Sequence, residues 1–153
     1  MIRHILTITN KGIIIPFFIF IIMKFLFLDI DGVVSINNDL SQEKLIFVQE
    51  IVNQTDVKII LSSSWRFDES MIEVLENYFP ITDVTPQLEK QARKYEIKQW
   101  LKINSPDFEK AVILDDRMDA MLHHSKILSI KTDSYFGLSN EQALTAIEFL
   151  NDI

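Results

Sequence analysis

Three apolar runs of strand length in this chain stop abruptly on polar or acidic clusters. Phe25-Leu26-Phe27-Leu28 ends on Asp29-Ile30-Asp31-Gly32, Ile59-Ile60-Leu61 on Ser62-Ser63-Ser64-Trp65-Arg66, and Val112-Ile113-Leu114 on Asp115-Asp116-Arg117. Near-continuous apolar runs of this length suit strands buried on both faces, the condition of a parallel sheet covered by helices. In such a sheet the strands end along one common edge. Carboxylates gathered there are costly unless something compensates their charge. The pattern therefore asks for an α/β fold with a ligand beyond the carboxyl ends of the strands, where open sheets of this kind bind.

The rest of the chain agrees. From residue 23 onward, strand-length runs alternate with amphipathic segments, which predicts one doubly wound α/β domain around a mostly parallel five-stranded sheet. Beside the three runs above, strands are expected at 81–84, short enough for an edge, and at 127–130. Helices are expected at 41–53, 68–79, 91–103 and 139–150, with a shorter one around 118–124. Ser41 stands where a first helix would be capped, Pro80 stops the second, and Ser139 with Gln142 has capping-box spacing. At 153 residues, 48% apolar and 24% charged, the chain can bury a core without disulfides, and it has no cysteine to form them.

Residues 1–22 read differently. Arg3, His4 and Lys11 precede an unbroken apolar run from 13 to 23, shorter than the roughly 18 residues that mark a spanning helix and followed by no small-residue cleavage site. The expectation is a domain over 23–153 preceded by an apolar extension, dispensable or serving as a peripheral membrane or partner anchor. Cleavage after the run would remove or expose the first buried strand, so a cytoplasmic protein without a membrane span is expected.

The chemistry lies at the strand ends. Asp29, Asp31, Asp115 and Asp116 form an oxygen-rich set with no His or Cys nearby in sequence, which suits a hard cation, Mg²⁺ above all where phosphate is the co-ligand. Asp29 and Asp31 are two residues apart, so in extended chain their side chains point the same way, roughly 6 to 7 Å apart along the strand. That spacing leaves room for a phosphoryl group. One carboxylate can attack phosphorus while the other protonates the leaving oxygen and then deprotonates a water. Gly32 permits the tight turn that aims them. Arg66 is a candidate phosphate or substrate contact, with an ion pair to Asp68 or Glu69 as its structural alternative.

The stretch from Phe25 to Val34, an apolar strand ending in Asp-x-Asp-Gly-Val, resembles the first motif of phosphatases of the haloacid dehalogenase (HAD) superfamily. The resemblance implies a Rossmannoid three-layer sandwich, with Asp29 as nucleophile and Mg²⁺ ligand. Asp31 would be the general acid/base and would also offer the metal its backbone carbonyl. The family's second motif, a hydroxyl residue at the end of the second strand, falls among the three serines. Ser63 is the choice, with Ser64 beside it and Ser62 taken as the small residue still in the strand. The third motif, a cation, fits Arg93 with Ile97 four residues on, and Lys94 is the reserve. In the fourth, Ile113-Leu114-Asp115-Asp116-Arg117, Asp116 would hold Mg²⁺ and Asp115 support it, with Asp119 a weaker candidate.

The run Ser63-Ser64-Trp65-Arg66, the segment 93–101 and the later Thr132-Asp133 and Gly137-Leu138-Ser139 are similar to a small bacterial branch associated with predicted RNA-repair proteins. That implies a phosphorylated substrate such as a nucleotide or a polynucleotide end. The formal charge of −7 supplies no basic stripe for a nucleic acid. Between the motifs there is room for a helix or a helix and strand, so no cap domain is expected. An open site suits a bulky substrate. His123 and His124, adjacent and about 100° apart on a helix, are expected to be one packed and one solvated, without a role. Trp100 is expected in the core, and Trp65 beside the site. The competing functions are phosphotransfer to an acceptor other than water, and a module that binds Mg²⁺ and phosphate without turnover, which would have no need of Asp31.

Overall fold

The computed structural model describes residues 23–152 in full, and of the N-terminal segment the backbone strands at 2–8 and 14–20. These two strands, β1 (Ile2–Ile8) and β2 (Ile14–Phe20), pair antiparallel with Ile2 opposite Phe20. The expected apolar anchor falls on this segment and otherwise lies outside the described residues. The chain continues through β3 (Lys24–Leu28), β4 (Ser35–Ile36), β5 (Asp39–Leu40), α1 (Gln42–Thr55), β6 (Lys58–Leu61), α2 (Glu69–Glu76) and β7 (Ile81–Val84). It ends with α3 (Arg93–Asn104), β8 (Lys110–Asp115), β9 (Ile127–Lys131) and α4 (Asn140–Asn151).

The main sheet has the order β7-β6-β3-β8-β9, and every neighbouring pair is parallel. β3 is central, and the short β7 is an edge as expected. Alternation along the strands sends Leu26, Leu28, Ile59, Leu61, Val112 and Leu114 into one core with residues of α1, α2 and α4. Phe25, Phe27, Ile60, Ala111 and Ile113 enter a second core with Ile97, Trp100 and Leu101 of α3. This is a three-layer α/β sandwich. Trp100 meets Phe25 and Phe27 edge-on at 5.0 and 5.6 Å between ring centroids, and its indole N–H donates to Asp83 Oδ2 at 2.7 Å. It is a core residue whose single polar atom is satisfied.

Among the described residues no cap domain interrupts the sandwich. Between β3 and α1 there is only the β4–β5 hairpin, whose turn residues Asn37 and Asn38 both have positive φ, the geometry a two-residue hairpin turn requires. Between β6 and α3 there are only a 3₁₀ turn (Ser64–Phe67), α2 and β7.

Local differences from the sequence reading have local causes. The helix expected at 118–124 is a single 3₁₀ turn, Met118–Ala120. Ser129 Oγ on β9 then bonds both the N–H and the C=O of Leu122 at 3.0 Å, which draws the chain toward the sheet. α2 starts at Glu69 because the Asp68 carboxylate caps it, accepting from Ser70 N. Ser41 occupies the N-cap position of α1 without a side-chain bond, whereas the Ser139–Gln142 capping box of α4 forms.

Candidate active site

The two strands flanking the point where chain order reverses, β3 and β8, carry the acidic ends. Their ladder runs one residue past the last strand pair. Asp29 N donates to Leu114 O at 2.9 Å and Ser62 N to Leu28 O at 2.9 Å. Ser62, Asp29 and Asp115 therefore stand level on three adjacent strands. By the alternation that puts Phe27, Ile60 and Ile113 on the α3 side, their side chains face α3.

Asp29, Asp115 and Asp116 each bring a carboxylate oxygen within 4.8 Å of the others. Asp29 and Asp115 are buried and Asp116 is half-buried. Asp116 reaches this position past Gly32, where φ is +74° and a Cβ would lie 2.3 Å from Asp116 Oδ2. A side chain at 32 would thus be strained and would displace Asp116.

Arg93, the first residue of α3, lies between the two buried acids. Its Nη1 is 2.6 Å from Asp115 Oδ2 and 3.0 Å from Asp29 Oδ2. Asp115 Oδ1 accepts from Arg117 N at 2.9 Å, so both its oxygens are engaged. Asp29 is pushed up to about 6, by its burial first and by the neighbouring charge of Asp115 second, against the pull of Arg93. Burial also raises Asp115. Arg93 is raised, its burial outweighed by Asp29 and Asp115. Three acids against one arginine leave the cluster short of positive charge. Because every donor is a carboxylate, a hard divalent cation fits it. Asp29 and Asp116 offer the freer oxygens, and Asp115 stands behind them, fixed by Arg93.

Asp31 lies apart. It is exposed, and its carboxylate accepts from the Trp65 indole N–H at 3.1 and 3.2 Å. Trp65 is in the 3₁₀ turn after β6, so the loops of β3 and β6 meet at this bond. The sequence singled out Ser63 and Ser64 for phosphate. Ser63 is buried and caps the turn, its Oγ accepting from Trp65 N at 3.3 Å, and Ser64 is exposed. The hydroxyl level with Asp29 belongs to Ser62, fully buried with Oγ unpartnered among the described residues. Its level with Asp29 follows from the register of β6 on β3, which periodicity along a single strand does not give.

Arg66 pairs with neither Asp68 nor Glu69. Its Nη1 donates to Ser62 O at 2.9 Å and Ser63 O at 2.8 Å, and its Nη2 meets Glu96 Oε2 at 2.9 Å. The guanidinium thereby pins the serine turn to α3. Lys94 has its Nζ over the Tyr95 ring at 5.4 Å, leaving Arg93 as the cation among the acids. Asp119 forms a two-point pair with Arg117 at 2.7 and 2.8 Å and stands outside the carboxylate group. His123 and His124 are both exposed, with the His124 ring 5.9 Å from that of Phe108. The loop after β9 clamps the β3 loop. Thr132 Oγ1 donates to Gly32 O at 2.7 Å and Leu138 N to Val33 O at 2.9 Å.

Among the described residues no helix is long and apolar enough to cross a membrane. A family model described as the HAD domain in Swiss Army Knife RNA repair proteins matches residues 25–143, from β3 into α4. No curated protein and no solved structure matches the chain.

Proposed function

The chain belongs to the family of HAD domains found in Swiss Army Knife RNA repair proteins, and from that premise we propose that it is a Mg²⁺-dependent phosphatase that hydrolyses a phosphomonoester through an aspartyl-phosphate on Asp29. The proposed substrate is the phosphorylated end of a nucleic acid or a nucleotide, and the proposed compartment is the cytoplasm. The observation that carries the reading is the division of labour between two acids. One, Asp29, is buried against Arg93 and a second carboxylate, while the other, Asp31, is exposed and held by Trp65.

Asp29 attacks phosphorus through a carboxylate oxygen. As that bond forms, the bond from phosphorus to the leaving oxygen breaks, and protonated Asp31 gives its proton to that oxygen. Asp31, now a carboxylate, takes a proton from a water that attacks phosphorus. The Asp29–phosphorus bond breaks, and inorganic phosphate departs. Arg93 lies where it neutralises the phosphoryl oxygens and the nucleophile, and Ser62 donates its hydroxyl to the same group. Ser63 and Ser64 form the turn beside it, and Arg66 fixes that turn. Asp29, Asp116 and the Asp31 carbonyl would hold Mg²⁺, with Asp115 supporting them. When bound, the ion supplies the positive charge that lets the phosphate approach these acids.

Hydrolysis of an aryl phosphate and of RNA and DNA ends bearing 3′- or 5′-phosphate, with Mg²⁺ and then with EDTA, tests the reading. Turnover is expected to stop on chelation and to vanish in Asp29→Asn with the fold retained. Activity that survives either change removes the mechanism, and phosphate binding without turnover identifies a non-catalytic module.

A further inference from the structure

Beside the carboxylates, the 3₁₀ turn Ser64–Phe67 and the chain entering α3 enclose a cleft of about 260 Å³. We propose that this cleft receives the phosphodiester and the base adjoining the reacting phosphate, which makes the substrate a polynucleotide end and not a mononucleotide. The proposal rests on the phosphatase reading above and adds to it a second binding site.

The first reason is continuity. Arg93 lines the cleft and also touches Asp29 and Asp115, so a group attached to a phosphate at Asp29 has this cleft immediately at hand. Two other clefts, of about 360 and 650 Å³, lie along α3, the first also near β9, and Arg93 lines neither.

The second reason is charge. The lining carries Arg66, Lys90, Arg93 and Arg117 with Glu89 and Glu96, in a chain of net charge −7. Glu96 is spent on Arg66 and on Leu88 N, Arg93 on Asp29 and Asp115, and Arg117 on Asp119, which among the described residues leaves Lys90 as the cation of the lining open to a ligand. Lys90 makes no ion pair among the described residues. It sits at φ +56° in the turn before α3 and lines the cleft. A single diester phosphate matches this one free cation among the described residues. A long backbone tract does not, because the chain as a whole carries a net charge of −7.

The third reason is the aromatic wall. Phe67 is 59% exposed although it lines the cleft, and its ring rests on the Arg66 guanidinium at 4.4 Å. An exposed ring held by a cation beneath it offers a flat face to a base, and stacking of this kind tolerates any sequence. The other exposed aromatic pair at the strand ends, Tyr135 and Phe136, stands on the loop after β9, across β3 and β8 from Phe67.

The test uses the full chain with Mg²⁺. Substrates are dinucleotides with a terminal 3′- or 5′-phosphate, the matching mononucleotides, an aryl phosphate and a phosphopeptide. For one end polarity, the dinucleotide is expected to exceed its mononucleotide in kcat/KM by roughly tenfold, mainly through KM, as stacking plus one phosphate contact would give. Lys90→Ala and Phe67→Ala are each expected to shrink that ratio severalfold, whereas Tyr135→Ala with Phe136→Ala leaves it in place. Equal kcat/KM for dinucleotide and mononucleotide overturns the assignment. So does a ratio that ignores Lys90 and Phe67 or follows Tyr135 and Phe136, or a preference for the phosphopeptide. Aryl turnover without a dinucleotide advantage sinks the cleft alone; absence of turnover on every substrate sinks the phosphatase reading and the cleft with it.

Discussion

Asp29→Asn is expected to inactivate the protein and at the same time to stabilise its metal-free form, a combination specific to a buried acid kept for function. The folded-state value of about 6 lies above the reference value of 3.8. At about 1.36 kcal/mol per pH unit, that gap is worth about 3 kcal/mol. The sign follows from proton uptake. Below pH 3.8 both folded and unfolded chains carry the proton, and Asp29 contributes nothing. Between the two values the unfolded chain releases its proton while the folded chain retains it, so stability falls as pH rises. Above about 6 the full penalty applies. Asparagine cannot ionise and escapes it. In EDTA at pH 8 the variant should gain up to about 3 kcal/mol, equivalent to a melting temperature higher by about 6 to 12 °C for a chain of this size. Near pH 3.5 the two should melt together, and Mg²⁺ should raise wild type more than the variant, since it binds the intact cluster better. Thermal melts followed by circular dichroism decide the matter. A variant that melts below wild type at pH 8 in EDTA would refute the claim that burial, and the charge of Asp115 beside it, burden the ionised Asp29.

Other substitutions probe separate parts of the site. Trp65→Phe keeps the ring but removes the N–H that holds Asp31. A bond from a neutral donor to an exposed carboxylate falls at the low end of about 1.5 kcal/mol and above. Alkyl phosphates, which need a proton on the leaving oxygen, should therefore slow about tenfold and nitrophenyl phosphate much less, and equal slowing of both would dismiss a positioning role. Gly32→Ala places a methyl group against Asp116 and strains a positive-φ residue, so Mg²⁺ affinity measured by calorimetry should fall at least about tenfold. An unchanged affinity would take Asp116 out of the metal set. Ser62→Ala should lower kcat/KM by about ten- to a hundredfold with little change in melting temperature, since its hydroxyl has no partner to lose; a larger loss from Ser63→Ala than from Ser62→Ala would return the phosphate contact to Ser63.

The parallel sheet and its acidic edge were legible because they depend on local pattern. An apolar run such as Phe25-Leu26-Phe27-Leu28 can be buried on both faces only inside a covered sheet, and carboxylates directly after it must lie at its edge. The same logic gathered Asp29 and Asp116 at that edge and found no room for a cap, whereas Arg93 came from the resemblance to the family's third motif, and the family match spans that whole stretch. Partners far apart in sequence were not legible. Arg66 meets Glu96, 30 residues away, instead of its neighbours Asp68 and Glu69, and Trp65 meets Asp31 across 34 residues. Ser62 is distinguished from Ser63 by the register of β6 on β3, and the loop at 132–138 grips the β3 loop through Thr132 and Leu138. Periodicity reports which face of an element is buried. Which atoms then come within bonding distance depends on how strands align and loops fold back, and that geometry exists only once the sheet is assembled.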